Sequence, residues 1–147
     1  MPLNPSSNVA SLDQAYQATL YEVFAHHETI QLRVNATNTS LDQLLQDHQV
    51  ATWALITAYN PYSQQLTAQE NHRRNQSLRK VLGAMELSVL DAVGRDESGQ
   101  WPPEKSLFTL GMSRTQAIDI GGQFSQNAIL YGELGQPVEL LWLVDQT

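Results

Sequence analysis

The chain contains no cysteine. Disulfides, thiolate metal sites and thiol nucleophiles are excluded at once, and the composition suits a reducing compartment. Charge is also scarce, at 16% of 147 residues, and positive charge scarcer still: eight Lys and Arg against fifteen Asp and Glu give a formal net charge of −7. Nucleic-acid binders draw most of their affinity from neutralising phosphates with Lys and Arg. General nucleic-acid binding is therefore not expected, although a local basic patch is compatible with the count. No stretch approaches the ~20 apolar residues of a membrane helix, so no membrane association is expected. The opening MPLNPSSNVASLDQ has neither a basic start nor an apolar core. No secretory signal is read there, a cytoplasmic location is expected, and the three Asn-x-Ser/Thr matches at Asn35, Asn38 and Asn75 are taken as chance.

Catalytic signatures are missing too. The four histidines show no His-x-x-x-His or His-Glu-x-x-His spacing. There is no Gly-x-Ser-x-Gly elbow and no phosphate-cradling or dinucleotide glycine loop. Neither metal nor cofactor is expected, and the common enzyme classes fall away. What is present is a globular composition, 41% hydrophobic, in a chain of one-domain length that buries about 68–70% of its unfolded surface.

Residues 1–14 are expected to be a loose N-terminal segment, and residues 15–147 a single α+β domain. A short helix or turn is read over Ser11–Thr19. LYEVF (Leu20–Phe24) and IQLRV (Ile30–Val34) alternate apolar with polar, the mark of half-buried strands, and AHHET joins them as a hairpin. Ser40 is the expected N-cap of a helix carrying Leu41, Leu44 and Leu45. Thr52–Tyr59 is almost continuously apolar and reads as a central strand. Thr67–Glu70 is a capping box opening a helix with the stripe Leu78, Val81, Leu82 and Met85. A strand over Leu87–Val93, a long polar loop over Gly94–Lys105 and a return strand over Ser106–Leu110 follow. A second box, Ser113–Gln116, opens a helix packing through Ala117, Ile120 and Phe124. Its Gly121-Gly122 pair implies close backbone packing or an early end. Asn127–Tyr131 and Val138–Val144 are the last strands. From Thr52 to Tyr131 the order is strand, helix, strand, strand, helix, strand: a ferredoxin-like split βαβ sheet, preceded by the hairpin and helix and followed by one extra C-terminal strand.

In that topology three polar segments share one end: Tyr59-Asn60-Pro61, the Trp101-Pro102-Pro103-Glu104 loop, and Gln126-Asn127. The helix begun at Thr67 adds Asn71, Arg74 and Asn75 to the same end. Convergent polar groups beside an apolar wall mark a binding site. Each residue has a plainer reading as well. Asn60 serves as a turn former; Asn71 and Asn75 are satisfied amides tying down the Asn60 loop; Arg74 either holds an anion at the helix N-terminus or pairs with Glu70 or another carboxylate; Trp101 is a lid or a packing residue. Arg79 and Lys80 read as complements of a nearby helix C-terminus. Glu104 has no Asp or His beside it in sequence to make it an acid or base.

The ordered segments ITAYNP, ENxxRN, WPPEKSLFTLG and FSQNAILYG resemble domain of unknown function family 3293, a bacterial group of small soluble proteins. The resemblance runs from about Ala15 to Trp142. It implies no activity, substrate or catalytic residue. Lys105 stands where the family pattern carries a second acidic residue, so a two-carboxylate mechanism draws no support from it.

The expectation is a non-enzymatic binding or regulatory domain for a small polar or anionic ligand or a peptide. It would be monomeric or homodimeric and would use Tyr59, Asn60, Asn71, Arg74, Asn75, Trp101, Glu104 and Asn127. A protein-interaction adaptor is the alternative, pairing through an edge of the hairpin or of ELLWLV (Glu139–Val144). An enzyme of unrecognised type using Glu104 and Arg74 stands third.

Overall fold

The computed structural model describes residues 9–99 and 102–144. Trp101 and residues 1–8 lie outside them. Along the described residues run α1 (Val9–Ala18), β1 (Thr19–Phe24), β2 (Thr29–Leu32), α2 (Thr39–Asp47), β3 (Thr52–Ile56), a 3-10 turn (Pro61–Ser63), α3 (Ala68–Ala84), β4 (Ser88–Asp96), β5 (Glu104–Leu110), α4 (Arg114–Gln123), β6 (Ala128–Glu133) and β7 (Glu139–Trp142). The strands form one seven-stranded sheet in the order β2-β1-β4-β5-β3-β6-β7, and every pair is antiparallel. The class is mixed α and β, as the sequence pattern predicts.

Period-2 alternation sorts the strand residues onto two faces. Tyr21, Val23, Ile30, Leu32, Trp53, Leu55, Phe108, Leu110 and Leu130 share one core with Leu12, Ala15 and Tyr16 of α1 and Leu41 and Leu45 of α2. Ala54, Ile56, Leu107, Ile129 and Tyr131 face the other way, against Leu78 and Leu82 of α3 and Ala117 and Ile120 of α4. This second core holds no residue of β1 or β2.

The sheet curls around α1 until its edges touch. Asn35 N–H donates to the Val138 carbonyl at 2.8 Å, and Val138 N–H donates to the Ala36 carbonyl at 2.9 Å. Across the inside, Tyr16 of α1 meets Trp142 of β7 edge to face, with centroids 5.6 Å apart.

Several boundaries differ from the sequence reading. α1 starts at Val9 and buries Leu12, so ordered structure begins inside the segment expected to be loose. Asn38, not Ser40, caps α2, accepting from Leu41 N–H at 2.8 Å. β4 runs on to Asp96 and pairs with β5 as far as Gly94 opposite Glu104, so both ends of the expected long loop are strand and the described residues between them are not. β3 ends at Ile56, three residues early. α3 runs on to Ala84, with no basic residue in its last turn; Arg79 instead pairs with Asp91 of β4. Both capping boxes form as read. Of the Gly121-Gly122 pair only Gly121 is tightly packed: a Cβ there would lie 2.4 Å from Leu143 Cδ1, whereas Gly122 has nothing within 4 Å.

Candidate functional site

β3 delivers Ala58, Tyr59 and Asn60 to the end of the sheet where α3 begins. There the backbone leaves ordinary geometry: Asn60, Tyr62 and Ser63 all have positive φ, at 46°, 49° and 63°. For a residue as bulky as Tyr62 that is an outlier, and such strain persists only where surrounding bonds over-determine it. The bonds are present. Asn60 N–H donates to Asn71 Oδ1 at 2.8 Å, and Asn71 Nδ2 returns a bond to Asn60 Oδ1 at 2.9 Å. Leu66 N–H also donates to Asn60 Oδ1 at 3.0 Å, and Asn60 Nδ2 donates to Glu104 Oε2 at 2.7 Å. Tyr62 N–H reaches the Ser125 carbonyl at 2.7 Å. Asn127 Nδ2 donates to Ser63 Oγ at 2.9 Å, and Gln126 Nε2 to the Tyr59 carbonyl at 3.1 Å.

Arg74 bonds backbone carbonyls rather than Glu70. Its Nε donates to the Ala58 carbonyl at 2.7 Å and its Nη2 to the Phe124 carbonyl at 2.5 Å. Burial pulls the guanidinium below its ordinary value. Glu70, the other proposed partner, is held by Thr67 in the capping box. Arg74 thus clamps the end of β3 to the end of α4, where Phe124 caps the helix and Ser125 turns left-handed. Asn60, Asn71, Glu104 and Asn127 are all buried. The structure gathers them at one place, as the topology argument requires, and uses them to fasten the 58–63 loop to α3, β5 and the start of β6.

Tyr59 and Asn75 do something else. Both line a solvent-open groove of about 560 Å³ alongside this polar knot. One wall is α3, through His72, Asn75, Gln76 and Arg79, spaced so that they share one helix face. The floor is the outer face of β4, β5 and the end of β1, through Asp91, Val93, Arg95, Lys105 and Phe24. The groove exists because β1 and β2 extend the sheet beyond α3 and no residue of theirs joins the core beneath α3 and α4. Phe24 is consequently 42% exposed. Asn75 Oδ1 is buried and has no hydrogen-bond partner. Burial, then the charge of Glu104, raises the Tyr59 phenol above its ordinary value.

The family of proteins of unknown function DUF3293 matches residues 56–129, half of the chain. The chain belongs to that family. The DUF3293 match begins at the last residue of β3 and ends within β6. It therefore contains the whole polar knot and the α3, β4 and β5 walls of the groove, while Phe24 and β7 lie outside it. No curated protein and no solved structure matches the chain.

Among the described residues no helix is long and apolar enough to cross a membrane, and no cluster of three or more His, Asp or Glu could hold a metal ion. Another large cavity, about 530 Å³, lies by the seam of the curled sheet and is lined by Asp13, Gln17, Arg114 and Glu139 among others. Its Arg114 is committed, doubly bonded to Glu139 and stacked 4.9 Å over the Tyr131 ring. Sequence reasoning missed Phe24, His72, Gln76, Arg95 and Lys105 as groove residues. The alternation of LYEVF places Phe24 on the polar face, an available signal; the approach of α3 to β4 left none.

Proposed function

We propose that this chain is a non-enzymatic binding or regulatory domain whose ligand, a small polar or anionic molecule, occupies the groove between α3 and the β1–β4–β5 surface. The observation that carries the reading is the groove itself. Its volume is in the range of small-molecule sites, and its lining combines the apolar and aromatic Val93, Phe24 and Tyr59 with polar and charged side chains. It adjoins a loop whose strained backbone is fixed by seven hydrogen bonds, which supplies a rigid wall. Asn60, Asn71, Arg74, Glu104 and Asn127 act in this reading as the frame. Tyr59 and Asn75 are the residues that face the ligand.

The same reading takes β3–α3–β4–β5–α4–β6 as a ferredoxin-like split βαβ core, enlarged by the hairpin on one side and β7 on the other. The strand order β4-β5-β3-β6 supports it. The hairpin is then the addition that creates the groove.

Edge pairing with a partner protein draws less support. The outer margins of β2 and β7 are partly spent on each other through Asn35, Ala36 and Val138, and Asn38 Nδ2 covers the Gln31 carbonyl at 2.8 Å. A thermal-shift screen of polar metabolites tests the proposal. A compound that stabilises the wild type, and does so much less for a variant bearing Asn75→Ala with Lys105→Gln, supports the groove. Equal stabilisation of both proteins refutes it.

A further inference from the structure

The charges of the groove limit what it can take. Arg79 is paired with Asp91, and Arg95 with Glu22. Lys105 has no ion-pair partner among the described residues. Its neighbour Glu104 does not neutralise it. Successive strand residues point to opposite faces, so Glu104 is buried against Asn60 on the inner side while Lys105 stands exposed on the outer one. One positive charge is left over in the groove of a protein whose net charge is −7.

The direct cross-strand neighbour of Lys105 is apolar. Lys105 sits directly opposite Val93 in the β4–β5 ladder, and Val93 lies directly opposite Glu22 in the β1–β4 ladder. Phe24, two residues along β1 from Glu22, therefore projects from the same outer face. Pro103 and Tyr59 close the end of the groove beside them. A single uncompensated cation flanked by an exposed phenyl ring and a tyrosine suits a molecule with a negative head and a flat apolar body. A bare anion would leave the ring surfaces wet, and a neutral ligand would leave the ammonium without a counter-charge.

Building on the binding-domain reading, we propose that the groove binds a small organic anion, carboxylate or phosphoryl, carried on an aromatic or apolar body, with Lys105 holding the anionic group and Phe24 and Tyr59 flanking the body. Arg79 and Arg95 stay engaged with their own carboxylates.

The test is an amide NMR titration of the full chain with three probes: phenyl phosphate, inorganic phosphate and benzyl alcohol. Phenyl phosphate is expected to shift the amides of Phe24, Val93, Arg95 and Lys105 and to bind more tightly than either other probe. Lys105→Gln should weaken phenyl phosphate by about tenfold, the loss of one charge-assisted contact. Phe24→Ser should weaken it by about threefold or more through lost apolar contact. Both side chains are exposed, so the variants' spectra should otherwise overlay the wild type. Benzyl alcohol binding in the groove as tightly as phenyl phosphate overturns the anionic class and leaves the binding-site reading standing. Inorganic phosphate binding as tightly overturns the apolar body. Unchanged affinity in Lys105→Gln overturns the anchor. If no probe moves a groove amide, the ligand class falls, and the binding-site reading stands or falls by the metabolite screen.

Discussion

Asn71 and Asn75 are one helical turn apart on α3 and look equivalent in sequence, but the structure gives them opposite energetics. Asn71→Ala removes the acceptor of the buried Asn60 N–H and the donor to Asn60 Oδ1. The second loss is tolerable, since Leu66 N–H still reaches that oxygen. The first leaves a backbone donor without a partner at a residue only 7% exposed. An orphaned buried donor costs about 1–3 kcal/mol, and the second bond adds about 0.5–1.5 kcal/mol, so roughly 2–4 kcal/mol is expected. At roughly 2–4 °C per kcal/mol for a domain near this size, Tm falls by about 5–15 °C. Asn75→Ala instead deletes a buried acceptor that has no partner, so stability should hold within about 0.5 kcal/mol or rise by up to ~1 kcal/mol. Urea unfolding of both variants beside the wild type, with slopes compared to verify a common unfolded state, gives the two numbers. Equal losses, or a loss below ~1 kcal/mol for Asn71→Ala, would refute the division between a framing amide and a ligand-facing one.

Two glycines should also part company. A Cβ at Gly132 would sit 2.4 Å from the Trp53 indole nitrogen, directly across the β3–β6 ladder, so Gly132→Ala should cost about 1–3 kcal/mol by overpacking. Gly122→Ala, with open space around it, should gain about 0.5–1 kcal/mol in chemical denaturation. Tyr16 and Tyr21 are both raised above the ordinary phenol value of 10.0, chiefly by burial. Their contribution to stability is present below that value and lost as pH rises through the higher folded ones. In a near-ultraviolet absorbance titration above pH 10 these two should ionise only together with loss of fold, and ionisation of all five tyrosines in the folded state would contradict it. Glu70 is held below its ordinary value of 4.5 by the Thr67 hydroxyl and backbone N–H. Its contribution is therefore present above that value and lost as pH falls through the lower folded one. Thr67→Ala should return the Glu70 carboxyl to the ordinary range in an NMR pH titration, and an unmoved midpoint would count against the capping box.

The starts of α3 and α4 were legible because their chemistry is local: Thr67 with Glu70 and Ser113 with Gln116 each announce a box within four residues. Helix ends were not. The left-handed residues after α2, α3 and α4 are Gln49, Glu86 and Ser125 rather than glycine. For α2 and α4 the paired bonds of a Schellman turn form regardless, as in Gln126 N–H to the Gly121 carbonyl and Ser125 N–H to the Gly122 carbonyl, each at 3.1 Å. Nothing in the identity of those residues marks the turn. The gathering of Asn60, Asn71, Glu104 and Asn127 was readable from strand direction alone, but whom each would bond was not, because Arg74 spends itself on two carbonyls that only the closed backbone brings near. The groove was least legible. It depends on a hairpin added beyond β4, whose neighbour in the sheet no local pattern specifies.

The central claim is that the surface between α3 and β4–β5 receives a ligand. The most direct measurement is an amide NMR map of the first compound that stabilises the protein in a metabolite screen. Perturbations centred on Tyr59, Asn75, Val93 and Lys105 are the predicted result. Perturbations centred instead on Asp13, Gln17, Arg114 and Glu139, at the seam of the curled sheet, would contradict it.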